Sequence, residues 1–182
     1  CLGQDPILLV IRTFGEMYAF IVILRFLLQP AYADYYHPIS QAIARLTNTP
    51  VLHMGRVIPR IGKHDVSALL YAILIKIAVI LLLVLLTGSA FPNILSILIF
   101  SVAGVLDAIL TIYFWAILAS VIISWVAPGS YHPGPQLIQQ LTEPVFSVAR
   151  KVIPPIGGLD LSPIVIFIII QILQSQLSRL AI

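Results

Sequence analysis

Long apolar runs alternate with mixed segments along this chain, and the two kinds of segment predict different helices. A bilayer core about 30 Å thick is crossed by roughly twenty apolar residues in helical form. On that count, membrane spans fall at about 14–33, at 66–87, within 94–126 and at 161–180. The third run is long for a span, because one straight helix over it would measure about 50 Å at 1.5 Å per residue. It resolves as one tilted helix, as a helix bent near Gly104, or as a short embedded piece over 94–103 leading into a span centred on Phe114. The connections have their own rhythm. Pro38 suits the first turn of a helix, where its missing N–H costs nothing, and Ile39, Ala42, Ile43 and Leu46 then recur at helical spacing opposite Ser40, Gln41 and Arg45. Thr49-Pro50 restarts the pattern as N-cap and first helical residue, until Pro59 stops it. The connection before the fourth span repeats this through Leu137, Ile138, Leu141, Val145, Phe146, Val148 and Val152 up to Pro154. Each connection is expected to form short amphipathic helices divided by a proline turn, lying flat in the headgroup plane with Arg and Lys near lipid phosphate.

These parallels belong to an internal repeat. His37-Pro38 returns 95 positions later as His132-Pro133, Gln41 as Gln136, Leu46-Thr47 as Leu141-Thr142, Val57-Ile58-Pro59 as Val152-Ile153-Pro154, Gly62 as Gly157 and Asp65 as Asp160. Pro50 corresponds to Pro144 after a one-residue slip. Matches that keep their order and spacing imply a duplicated unit. The units divide at 1–87 and 94–182 around a linker at 88–93. The register pairs 20–34 with 115–129, which favours the bent or two-piece forms of 94–126.

Composition fixes the surroundings. Charged residues make up 9% of the chain and hydrophobic residues 60%, with a mean hydropathy of +1.06, whereas soluble domains carry about 25% charge. The chain reads as an all-α integral membrane protein of about four spans. Arg45, Arg56, Arg60 and Lys63 lie in the first long connection and Arg150 and Lys151 in the second, while 88–93 is uncharged. The positive-inside rule then puts both long connections in the cytoplasm and makes the repeats parallel, not inverted. A net charge of +3 is accounted for by basic connections over anionic lipid, so nucleic acid need not be invoked. The lone Cys1 leaves no intrachain disulfide; it suggests a trimmed start or, alternatively, a lipidated cysteine.

Ionisable side chains inside apolar spans are expensive, and so are functional suspects. Here they are Glu16, Arg25, Lys76 and Asp107. Arg25 and Lys76 are expected nearly level, roughly 12 and 15 Å below the cytoplasmic face, with Glu16 and Asp107 nearer the far face beside Arg12. The two cations either snorkel to headgroups or line a cleft between the halves that holds an anion, a lipid phosphate or a partner's carboxylate; transport is a third reading. Asp65 and Asp160 read as helix caps, with ion or proton handling as the alternative. His37 and His132 read as caps ahead of proline rather than metal or haem ligands, since neither has a ligand at i+4. Gln171, Gln174 and Gln176 are candidates for hydrogen bonds between helices. Signatures of a nucleophile elbow, a P-loop and a dinucleotide site are absent, and neither cofactor nor enzymatic activity is expected.

Taken together, Ile39-Ser40-Gln41 behind His37-Pro38, Leu46-Thr47 with Pro50, Arg56-Val57-Ile58-Pro59 and Gly62 with Asp65 form one pattern. It is echoed by Leu141-Thr142-Glu143-Pro144, Arg150-Lys151-Val152-Ile153-Pro154 and Gly157-Gly158-Leu159-Asp160, and Ser124-Trp125 closes the third span. This pattern resembles the YggT family of small multi-pass membrane proteins. His in place of the family's frequent Asn before Pro38 and Pro133, and the extra Gly134-Pro135, depart from it. The resemblance implies two tandem repeats in a bacterial inner membrane. It also implies links to osmotic and ionic stress tolerance, to division and nucleoid distribution, or, in a plastid branch, to cytochrome b6 haem attachment. It brings no reaction and no catalytic residue. The expected function is a non-enzymatic scaffold or assembly factor, with a small ion or osmolyte transporter or channel subunit as the rival. Arg25, Lys76, Arg45, Arg56, Arg60, Arg150 and Lys151 would meet anionic headgroups or other membrane proteins. His37, Pro38, Thr47, Pro50, Pro59, Gly62, Asp65, His132, Pro133, Thr142, Pro144, Pro154, Gly157 and Asp160 would shape the repeats. Self-association through small residues such as Ala103-Gly104 and Ala108 stays open.

Overall fold

The computed structural model describes residues 6–28, 42–43, 45–47, 50–51, 54, 66–126, 133–154 and 161–180. Its long helices are α1 (Pro6–Leu28), α2 (Val66–Thr87), α3 (Ile94–Val126), α4 (Pro133–Val152) and α5 (Ser162–Leu180). The described residues between 42 and 54 are helical too, and no strand occurs among the described residues. The fold is all-α, and α1, α2, α3 and α5 are each long and apolar enough to cross a membrane. Leu74, Leu85, Leu95, Ile168 and Ile172 stand exposed on the outside. A helix tolerates that only where lipid or another apolar surface takes the place of water.

Span boundaries follow from side-chain pairing as well as from apolar count. α1 starts at Pro6 rather than near 14, because Arg12 and Glu16 lie one turn apart and pair at 3.5 Å on its exposed side. Each charge thereby offsets the other, and the apolar run from Ile7 to Ile11 joins the helix. α2 ends where the Thr87 hydroxyl donates back to the Leu83 carbonyl (2.8 Å) and Gly88 takes φ 69°, the left-handed conformation that glycine adopts without cost. Asn93 Oδ1 then accepts from the Ser96 amide (2.7 Å) and caps α3. The turn 88–93 thus returns the chain as an antiparallel neighbour.

α3 corrects the sequence reading. It is one continuous helix of 33 residues, so the two-piece form does not occur. Gly104 does not interrupt it, and the Lys76 stem from α2 lies against that glycine. The second connection is corrected as well: α4 runs unbroken from Pro133 to Val152 with Pro144 inside it, where a proline turn between two helices is expected. Proline removes one ladder hydrogen bond, at a cost of about 3 kcal/mol in an isolated helix interior. Packing offsets it, since Leu141 and Phe146 on either side are buried against the bundle. Nor does α4 give its apolar stripe to lipid alone. Val145, Val148 and Val152 line an apolar groove of about 480 Å³ together with Leu110, Ile169 and Leu173 of α3 and α5. Pro133 begins the helix and Pro154 follows its end, as the spacing predicts.

Among the described residues, two clusters form the interior. The larger joins Val22, Ile23 and Leu27 of α1, Ala68 and Ala72 of α2, Val105, Ile112 and Ala116 of α3, Leu141 of α4, and Ile43 and Val51 of the first connection, and so spans both repeats. The smaller, Ile117, Phe146, Ile166 and Ile170, belongs to the second repeat. α1 and α2 approach closely at Gly15, where an added Cβ would collide with Val79 Cγ2. Small residues at such a crossing let backbones meet, and dispersion then holds them.

Candidate functional site

Polar side chains in the first repeat tie helix to helix. The Tyr71 hydroxyl donates to the Tyr18 hydroxyl (2.9 Å), which donates to the Leu46 carbonyl (3.0 Å). The two rings meet edge to face with centroids 5.8 Å apart. Nearby, Arg25 Nη1 donates to Thr47 Oγ1 (3.0 Å), which itself donates to the Ile43 carbonyl (2.7 Å). Thr47 is fully buried. Arg25 lies in the last turn of α1, where a cation also complements the helix dipole. These bonds fasten α2 to α1 and α1 to the first connection.

A second group lines a cleft of about 550 Å³ between α1, α2 and α3, bordered by Thr13, Glu16, Lys76, Gly104, Asp107 and Thr111. Glu16 and Asp107 are exposed and Lys76 is half-buried. One cation and two carboxylates thus border the same opening, within helices that are otherwise apolar. The expectation that Arg25 and Lys76 sit level is corrected. Arg25 is in the last turn of its helix and engages Thr47, whereas Lys76 lies ten residues into α2, roughly 15 Å along it. In this antiparallel pair Gly15 meets Val79, which sets Lys76 beside α1 near Glu16 and leaves Arg25 about two turns further along.

In the second repeat Gln174 Nε2 donates to Thr111 Oγ1 (3.0 Å), the inter-helix bond expected of a glutamine at this place; Gln171 and Gln176 are exposed. Arg150 stands 3.8 Å from Glu143 and 5.3 Å over the Phe146 ring. Thr142 is buried, Pro50 is helical, and Arg45 and Lys151 are exposed on helical turns. His37, Pro38, Arg56, Pro59, Arg60, Gly62, Asp65, His132, Gly157 and Asp160 lie outside the described residues. No three His, Cys, Asp or Glu side chains among the described residues gather to hold a metal. The sequence reading missed Gly15, the Tyr18–Tyr71 pair and the fully buried Ser67 and Ser162. The repeat held the signal for some of these, since Tyr18 recurs as Tyr113 and Ser67 as Ser162.

The two halves of the chain match one and the same known family. The family model described as CCB3/YggT matches residues 4–86 and again residues 99–181, the same 95-residue displacement. The uncharacterized protein PA0392 of Pseudomonas aeruginosa is 42% identical over 166 residues, 91% of this chain and 84% of its own. The uncharacterized protein YggT of Escherichia coli K12 is 29% identical over 94% of this chain and 88% of its own. The uncharacterized protein ycf19 of Guillardia theta matches over 72 residues, 39% of this chain but 79% of its own length, about one repeat. No solved structure matches. With the family model covering both halves, the chain belongs to the CCB3/YggT family as a multi-pass membrane protein of two tandem repeats.

Proposed function

We propose that this protein is a non-enzymatic membrane scaffold or assembly factor, serving stress tolerance or a membrane-associated division process of the kind the family resemblance implies. One observation carries this reading: Tyr18, Tyr71, Arg25, Thr47, Thr111 and Gln174 spend their polar groups on ties between helices. Groups used this way hold a shape and leave the outer faces apolar. Those faces are broad, for only 6% of the most apolar stretch of α2 and 22% of that of α3 is buried within the chain. On this reading they accept other membrane proteins or a second copy of the chain. The basic connections face the cytoplasm from the inner membrane, with Arg45 and Lys151 over anionic headgroups. Crosslinking in native membranes followed by affinity capture tests it: a stoichiometric membrane-protein partner is expected, and the monomer alone in every crosslinked sample contradicts it.

The cleft of Glu16, Lys76 and Asp107 favours a second reading, a small ion or osmolyte transporter or channel subunit, because charged groups facing one opening are what a conduction path needs. Flux in liposomes of the pure protein that Lys76→Leu abolishes would establish it, and flux no greater than in empty liposomes would remove it.

A further inference from the structure

We infer that the second repeat binds a phospholipid headgroup bearing a primary amine, a phosphoethanolamine group, in the place where the first repeat keeps its own arginine. The two repeats differ by one exchange at this place. In register, Thr47 becomes Thr142 and Arg25 becomes Ser120. Thr142 retains its counterpart's local bond, its Oγ1 donating to the Ile138 carbonyl at 2.9 Å as Thr47 donates to Ile43 at 2.7 Å. It is equally buried, with 1% of its surface exposed. Among the described residues it lacks the donor: Arg25 reaches Thr47 at 3.0 Å, and nothing described reaches Thr142 in that way. Ser120 and Thr142 border an opening of about 520 Å³, well inside the range of about 300–1,000 Å³ typical of small-ligand sites.

Two charges and a depth select the occupant. Glu143 borders the opening one residue from Thr142, and Arg150 borders it 3.8 Å from Glu143. A primary ammonium can donate to the Thr142 hydroxyl and the Glu143 carboxylate together, and a phosphate is the natural acceptor for the Arg150 guanidinium. One zwitterion carrying both groups satisfies the whole set. Ser124 and Trp125 close α3 and Pro163 opens α5, so the opening lies where two membrane-crossing helices give way to a polar connection. That is headgroup depth. A choline head fits poorly: it has no N–H for Thr142, and the Phe146 ring that could receive it already lies under Arg150 at 5.3 Å.

Native mass spectrometry of the purified full chain, released from micelles doped with equal phosphatidylethanolamine, phosphatidylcholine and phosphatidylglycerol, reads the site directly. One phosphatidylethanolamine should be retained with about tenfold preference over phosphatidylcholine, the effect of a single charge-assisted hydrogen bond. Ser120→Arg installs the guanidinium that the first repeat already accommodates and should abolish the preference. Ser120→Ala leaves the opening and should keep it, and Arg150→Gln should weaken both phosphatidylethanolamine and phosphatidylglycerol. Thermal melting confirms that each variant is folded. Equal retention of the ethanolamine and choline lipids overturns the inference, as does a folded Ser120→Arg protein that keeps the preference. Saturable binding of a soluble arginine-rich peptide without any lipid preference overturns it too, and assigns the opening to a cationic side chain of a protein partner.

Discussion

In the first repeat α1 and α2 close on Gly15, Ala19, Ala68 and Ala72, whereas the same register in the second puts Leu110, Phe114, Pro163 and Phe167 between α3 and α5. The first seam brings backbones together, with those alanines fully buried. The second is filled by rings, Phe114 and Phe167 standing 5.2 Å apart between centroids. The polar ties differ in the same way. Arg25 reaches across to Thr47 in the first repeat, while Ser120 and Thr142 border an opening in the second. One duplicated pattern therefore supports a closely packed hairpin and a looser one. A helix hairpin in lipid can be held by close backbones or by bulky side chains, provided that each seam is internally consistent.

Exchanging residues between the repeats tests this contrast. The largest effect is expected from Gly15→Leu, which puts the second repeat's residue into the first repeat's seam against Val79. Overpacking of this kind costs about 3 kcal/mol, measurable by unfolding in bicelles. Leu110→Met, a volume-conserving change at the equivalent position, should cost less than about 1.5 kcal/mol in the same assay. Arg25→Ser comes next. It removes a charge-assisted hydrogen bond to a buried hydroxyl, for about 2 kcal/mol, and should raise amide exchange at 45–47 before α3 responds. Tyr71→Phe removes one neutral bond and should cost about 1 kcal/mol, with coupling to Tyr18→Phe in a double-mutant cycle. Gln174→Leu should be the mildest, about 0.6 kcal/mol, the mean for hydrogen bonds between membrane helices.

Apolar run length and the repeat made the four crossing helices legible, because lipid demands a minimum length that few other environments impose. Termini were less legible. The start of α1 depends on Arg12 pairing with Glu16 across one turn, which a charge count penalises and a helical spacing rule allows. Pro144 misled for a related reason: proline breaks an isolated helix, but α4 is held by burial of Leu141 and Phe146 on both sides of it. The intramembrane charges are visible in the sequence, yet their grouping is not readable there. Lys76 faces Glu16 and Asp107, and Arg25 faces Thr47, because helix ends and rotation set those partners. The Ser120–Thr142 opening emerges only when the first repeat is laid over the second, since Ser120 in isolation is an ordinary small residue in an apolar helix.

Parallel repeats require that both long connections leave the bundle at one end and that the short turn 88–93 leaves at the other. Single cysteines placed at 45, 89 and 140 in a Cys1→Ser background, each exposed by its position, can be labelled with a membrane-impermeant maleimide before and after permeabilisation. Positions 45 and 140 should label together from one side and position 89 from the opposite side. Labelling of 45 and 140 from opposite sides would contradict the duplicated parallel hairpin on which the whole account rests.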